Sequence, residues 1–113
     1  KGIMPNNIAY YVEGEEKSAK LLKLVLNIND TDHANDALSR FIEIARTLFR
    51  KALNQEITAD IANSLALRKE LSIEYINKCV TIEKEEWLNS RSKGYTLKFT
   101  IKNCDAHSIG TSA

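Results

Sequence analysis

From Glu15 to Lys93 the sequence contains no glycine and no proline; Gly2, Gly14, Gly94, Gly110 and Pro5 all lie outside that stretch. Helix interiors exclude both residues, at costs of about 1 and 3 kcal/mol relative to alanine, so the stretch is free to be mostly helical. Its breaks must then come from clusters of Asn, Asp, Ser and Thr. At 113 residues the chain has the length of one domain, 1–113. Its last residues, 104–113, are short of apolar side chains and read as a loosely held tail.

Hydrophobic periodicity divides this domain. Asn7 to Val12 has strand-like composition and is ended by Gly14. Glu15 and Glu16 suit the positive end of a helix dipole. In the helix expected after them, Ala19, Leu21, Leu22, Leu24, Val25, Leu26 and Ile28 leave only Lys20, Lys23 and Asn27 polar, on one narrow stripe. A helix apolar around most of its circumference is central to its domain or lies in an interface, which makes Leu21, Leu24, Val25 and Ile28 candidate interface residues.

Asn29 to Asp32 reads as a turn and N-cap for a second helix, His33 to Leu53, whose Ala34, Leu38, Phe41, Ala45, Leu48, Phe49 and Ala52 share one side. Thr58 caps a third, with Ile61, Leu65, Leu71, Ile76 and Val80 on its buried side; the β-branched run from Cys79 to Ile82 allows a strand there instead. Tyr95, Leu97, Phe99 and Ile101 alternate with Thr96, Lys98, Thr100 and Lys102, the period of a half-buried strand. Cys79 to Glu85 is placed to pair with it as a hairpin. The predicted architecture is α+β: a helical core of about three helices with a small two- or three-stranded sheet that includes the C-terminal strand.

No run of 18 apolar residues is present, so no membrane partner is expected. No basic-then-apolar leader opens the sequence, and Met4 is a candidate natural start that makes Lys1 to Ile3 a cloning remnant. Two cysteines, Cys79 and Cys104, are too few for a disulfide scaffold and read as reduced thiols of a cytoplasmic protein. In a secreted protein they could form one bridge, and Asn29-Asp30-Thr31 would be a glycosylation acceptor.

The chemical inventory is thin. Asp30, Asp32, His33 and Asp36 resemble hard-metal ligands, but capping explains acids at a helix start. Cys104 and His107, with Cys79 and His33, are the only candidates for a zinc site, and Cys104 sits in a poor place for a nucleophile. Phosphate loops, zinc-protease motifs and nucleophile elbows are absent. No catalytic residue, metal or cofactor is assigned; a small hydrolase or nuclease using His33 or His107 with nearby acids is the remote enzyme reading.

A net charge of +1 hides a basic segment, Arg91 to Lys102, that contains no acid. Thr58 to Leu67 resembles the first helix of a helix-turn-helix, with the second helix opening at Arg68 and Lys69. Ser72 falls where that pattern wants an apolar residue, and Ile73 comes one place late. Two functional expectations follow. The leading one is a small non-enzymatic protein–protein interaction or regulatory domain, acting on a protein partner or as a homodimer. The alternative is a winged-helix-like nucleic-acid-binding protein. Its helix-turn-helix would span 58–80 and its basic wing 91–102, with Arg68, Lys69, Arg91, Lys93, Lys98 and Lys102 on phosphate.

Overall fold

A computed structural model describes residues 5–14, 20–75, 77–87 and 94–104. Its centre is a five-stranded antiparallel sheet built from β1 (Asn7–Glu13), β2 (Leu21–Ile28), β3 (Leu71–Tyr75), β4 (Lys78–Glu86) and β5 (Tyr95–Asn103), in the order β1-β2-β5-β4-β3. Two α-helices, α1 (Ala34–Leu53) and α2 (Ala59–Leu67), connect β2 to β3, and a 3-10 turn, Thr31–His33, leads into α1. The class is α+β, but the sheet and not a helical trio is the scaffold.

The first predicted helix is β2. Leu22, Leu24, Leu26 and Ile28 alternate with Leu21, Lys23, Val25 and Asn27 and are buried beneath the helices. Leu24 and Ile28, expected as interface residues, therefore belong to the core. Leu21 and Val25 point to the opposite face, where Leu21 lies between Glu13 and Lys102, and Val25 between Ala9 and Lys98. The apparent helical stripe arose because Leu21 and Val25 are apolar on the face that should have been polar. Their neighbours on both sides shelter that face, so it tolerates them.

The third predicted helix is also corrected. Thr58 does cap it, its Oγ accepting from the Ile61 amide at 3.2 Å. The helix ends at Leu67 because Arg68 takes a left-handed φ of 55°. The amides of Arg68 and Lys69 then close onto the carbonyls of Leu65 and Ser64. Leu71-Ser72-Ile73-Glu74-Tyr75 follows as strand, so the second helix of a helix-turn-helix does not form.

α1 and β5 match their expected positions. In α1, Leu38, Phe41, Ala45, Leu48 and Phe49 are buried on one side, and Arg50 and Lys51 occupy its last turn, where cations complement the dipole. Asn54, with φ 56°, ends the helix by donating its amide to the Arg50 carbonyl at 2.7 Å. On β5, Leu97, Phe99 and Ile101 face α1 across from Leu26, Leu24 and Leu22. Each fully buried side chain of this kind contributes about 1.5–3 kcal/mol.

Cys79 and Cys104, expected as reduced thiols, are joined in a disulfide between the start of β4 and the end of β5. The β4–β5 register sets Cys79 opposite Lys102, which brings the Cys104 backbone within 5.1 Å, Cα to Cα. A bridge closing a loop with a separation of 25 residues contributes about 3 kcal/mol in the loop-entropy account.

At the other end of this hairpin the Trp87 amide donates to the Gly94 carbonyl at 3.1 Å, and the indole lies over Gly94. A Cβ on Gly94 would stand 2.3 Å from the Ile28 carbonyl oxygen and 2.5 Å from the Trp87 ring. Gly94→Ala is expected to cost about 3 kcal/mol or more by overpacking, and reduction of the disulfide about 3 kcal/mol. Urea denaturation of the variant, and of the wild type with and without reductant, measures both.

Candidate functional site

Among the described residues, helices cover one face of the sheet and no helix lies over the other, the open face. α1 is centred over β2, and α2 packs beside it through Ile61 and Leu65. This cover runs out over the edge strand β1, where Tyr10 and Val12, on the helix side, remain 40% and 44% exposed. Tyr11, on the opposite face, is 54% exposed. Between β1 and α1 lies an open groove of about 910 Å³. Its apolar surface comes from Ile8, Tyr10, Leu24, Ala37, Ile44 and Leu48; Asp30, His33, Asp36, Arg40, Thr47 and Lys51 add polar groups.

The walls of the groove are fixed by short polar contacts. Asn6 Oδ1 accepts from the amides of Asn29 and Asp30 at 2.6 and 2.7 Å, and its Nδ2 donates to the Asp30 carbonyl at 3.0 Å. The start of β1 is thereby tied to the turn that launches α1. Asn29 adds a donation from Nδ2 to the Pro5 carbonyl at 3.0 Å.

Across the open face, Trp87 Nε1 donates to Thr96 Oγ at 3.1 Å, Thr96 Oγ donates to Asn27 Oδ1 at 2.9 Å, and Asn27 Nδ2 donates to Asn7 Oδ1 at 3.0 Å. This chain runs from the end of β4 to β1 and leaves the sheet edge ordered by side chains as well as backbone.

Asp30 and His33 close one end of the groove. Asp30 Oδ1 accepts from the Asp32 amide, the N-cap contact of the 3-10 turn, and Oδ2 meets His33 Nδ1 at 2.7 Å. The hydrogen bond to Asp30 and then its negative charge hold the His33 pKa above the ordinary 6.5. The same hydrogen bond from His33 holds the Asp30 carboxyl below its ordinary 3.8. Asp30 is therefore occupied as a cap of the 3-10 turn, and among the described residues no three His, Cys, Asp or Glu side chains converge on a common metal position. Cys79 and Cys104, bonded to each other, are not available as thiolate ligands or nucleophiles. His107 lies outside the described residues.

Of the bases assigned to a phosphate surface, the four that are described divide between the two faces of the sheet. Arg68 and Lys69 end α2 on the helix side of the sheet, where Arg68 acts electrostatically on Tyr95. Lys98 and Lys102 project from the open face, Lys98 directly opposite Glu83 of β4. Arg91 and Lys93 lie outside the described residues. The groove itself was missed because it depends on pairing: Ile8 and Tyr10 become a wall only once β1 lies beside β2. The uncharged run Asn7-Ile8-Ala9-Tyr10-Tyr11-Val12 was the signal available in the sequence.

No family model, curated protein or solved structure matches this chain. No helix of the described residues is long and apolar enough to cross a membrane.

The Asp30–His33 pair gives the groove a pH dependence whose sign follows from the two shifts. Asp30, lowered on folding, contributes fully above 3.8 and loses its contribution as pH falls through its folded pKa. His33, raised on folding, contributes fully below 6.5 and loses its contribution as pH rises through its folded pKa. The turn is held best between those ordinary values. In an NMR titration the His33 ring is expected to titrate above 6.5. Asp30→Asn should return it towards that value, and an unchanged titration would remove Asp30 as the cause.

Proposed function

We propose that this chain is a non-enzymatic protein-binding domain and that its binding element is the free edge of β1 with the groove beside it. The observation carrying this reading is the exposure of Tyr10, Tyr11 and Val12 on a strand whose outer edge has no partner strand among the described residues. Edge strands in folded proteins are usually protected by charge, proline or a bulge, because their unpaired amides and carbonyls template further pairing. From Asn7 to Val12 β1 carries none of the first two, and its register with β2 is continuous from Asn7 to Glu13.

An extended polypeptide added to β1 would gain backbone hydrogen bonds from the edge. Its side chains on the helix side would reach the apolar groove, the mode known as β-augmentation. The polar flanks contributed by Arg40, Asp36 and His33 would select among such peptides.

The Cys79–Cys104 bridge supports an oxidising compartment rather than the cytoplasm expected from the cysteine count. A regulatory role, if the partner is an enzyme or receptor, would follow from occupancy of this edge.

Selection of extended peptides from a random library on the immobilised domain tests the reading. Binders are expected to perturb the NMR signals of Ile8, Tyr10, Ala37 and Ile44. Val12→Lys should abolish their binding while changing stability by only about 0.5 kcal/mol, as for other exposed positions. Shifts confined to β3 or to the open face, or failure to select any peptide, would contradict it.

A further inference from the structure

Resting on the reading of β1 as a binding edge, we infer that its occupant in the absence of another partner is the β1 strand of a second copy of this chain. Pairing would be antiparallel, with Tyr10 on the two-fold axis. The strand is self-complementary in that one register. Its seven residues, Asn7–Glu13, have Tyr10 at their centre, so full overlap sets Tyr10 against Tyr10, Ile8 against Val12, Ala9 against Tyr11 and Asn7 against Glu13.

Each pair suits the contact. On the helix side, Ile8 and Val12 flank a central pair of tyrosines, the aromatic and β-branched combination that stabilises cross-strand contacts. On the other side, small Ala9 receives large Tyr11 twice. The only charged residue of the strand, Glu13, meets Asn7 at both ends, so no like charges oppose one another. Asn7 accepts from Asn27 through Oδ1, which orients its amide while Nδ2 can donate to a carboxylate.

The opposite edge offers no comparable surface. β3 has five residues with Glu74 within them, and Lys69 and Glu70 precede it. Glu70 already reaches past the end of β3 to accept from the Lys84 amide at 3.3 Å. Charge and shortness are the usual means by which edges are blunted, and here they mark β3 as the protected side.

Two-fold pairing of β1 makes a continuous ten-stranded sheet with both α1 helices on the same face, because an axis perpendicular to a sheet preserves its sides. The two grooves then meet over Tyr10 and form one cleft between two helices. A competing peptide adding to β1 would have to separate the copies, so dimerisation and partner binding exclude each other.

Sedimentation velocity over a rising concentration series, combined with Tyr10→Cys under mild oxidation, tests this. Wild type is expected to pass from monomer to dimer, Tyr11→Lys to weaken the dimer by about tenfold or more, and Tyr10→Cys to form a covalent dimer. Ile73→Cys on β3 should not cross-link. A wild type that stays monomeric while selected peptides still bind β1 overturns the second-copy inference and leaves the binding edge standing. A dimer that cross-links through Ile73→Cys and not Tyr10→Cys overturns it equally. Absence of both dimer and peptide binding removes the two together.

Discussion

One-sided burial of β2 is the constraint on which the rest of this structure depends. Leu22, Leu24, Leu26 and Ile28 lie against Phe41, Ala45, Leu48 and Phe49 of α1 in a single core. A slip of one residue in β2 would turn Lys23 and Asn27 into that core and move the leucines to the open face. The register of both neighbours is fixed by the same requirement: β5 must offer Leu97, Phe99 and Ile101 to the helix side, and β1 must offer Ile8, Tyr10 and Val12. α1 sits over β2 and reaches both β5 and β1, yet Leu97, Phe99 and Ile101 of β5 are buried while Tyr10 and Val12 of β1 remain exposed. The groove lies beside β2, the strand next to the edge, over which α1 is centred.

The edge left outside that cover is nevertheless well held. Asn6 fastens the start of β1 to the Asp30 turn, and Asn7 ends the side-chain chain that begins at Trp87. A strand ordered before it meets a partner loses less conformational entropy on binding than a disordered one. Neutral amides make these contacts, so they add no charge to the strand and leave Tyr10, Tyr11 and Val12 as its exposed character. Order and exposure together separate β1 from β3, whose flanking charges suit solvent.

How much of this was legible in the residues depends on how many partners each segment needs. α1 was readable because its 3.6-residue period and its buried side are properties of one segment, and β5 because its outer face is consistently polar. β2 misled because Leu21 and Val25 are apolar on the open face, while leucine is itself a good helix former. The long stretch without glycine or proline also favoured helix too strongly. Its turns are made instead by left-handed Asn54, Arg68 and Asn77; two are asparagines, which tolerate that conformation, and Arg68 carries no such signal. The alternation Leu71-Ser72-Ile73-Glu74-Tyr75 was visible, and the misplacement of Ile73 for a helix-turn-helix was the mark of a strand. The candidate interface residues lie on a strand and not on the expected helix, Leu24 and Ile28 in its core face and Leu21 and Val25 on the other, whereas the uncharged β1 run, classed as a strand, acquired meaning only from its position at the edge.

The most direct measurement of the central claim is residue-resolved hydrogen exchange of the β1 and β3 edge amides at low and high protein concentration. If β1 is the binding edge and a second copy is its default occupant, the outward-facing amides between Asn7 and Glu13 should exchange rapidly in dilute protein and become protected on concentration. Those of Leu71 to Tyr75 should not change. Protection that appears on β3, or β1 amides that exchange identically at both concentrations, would contradict this assignment of the edge.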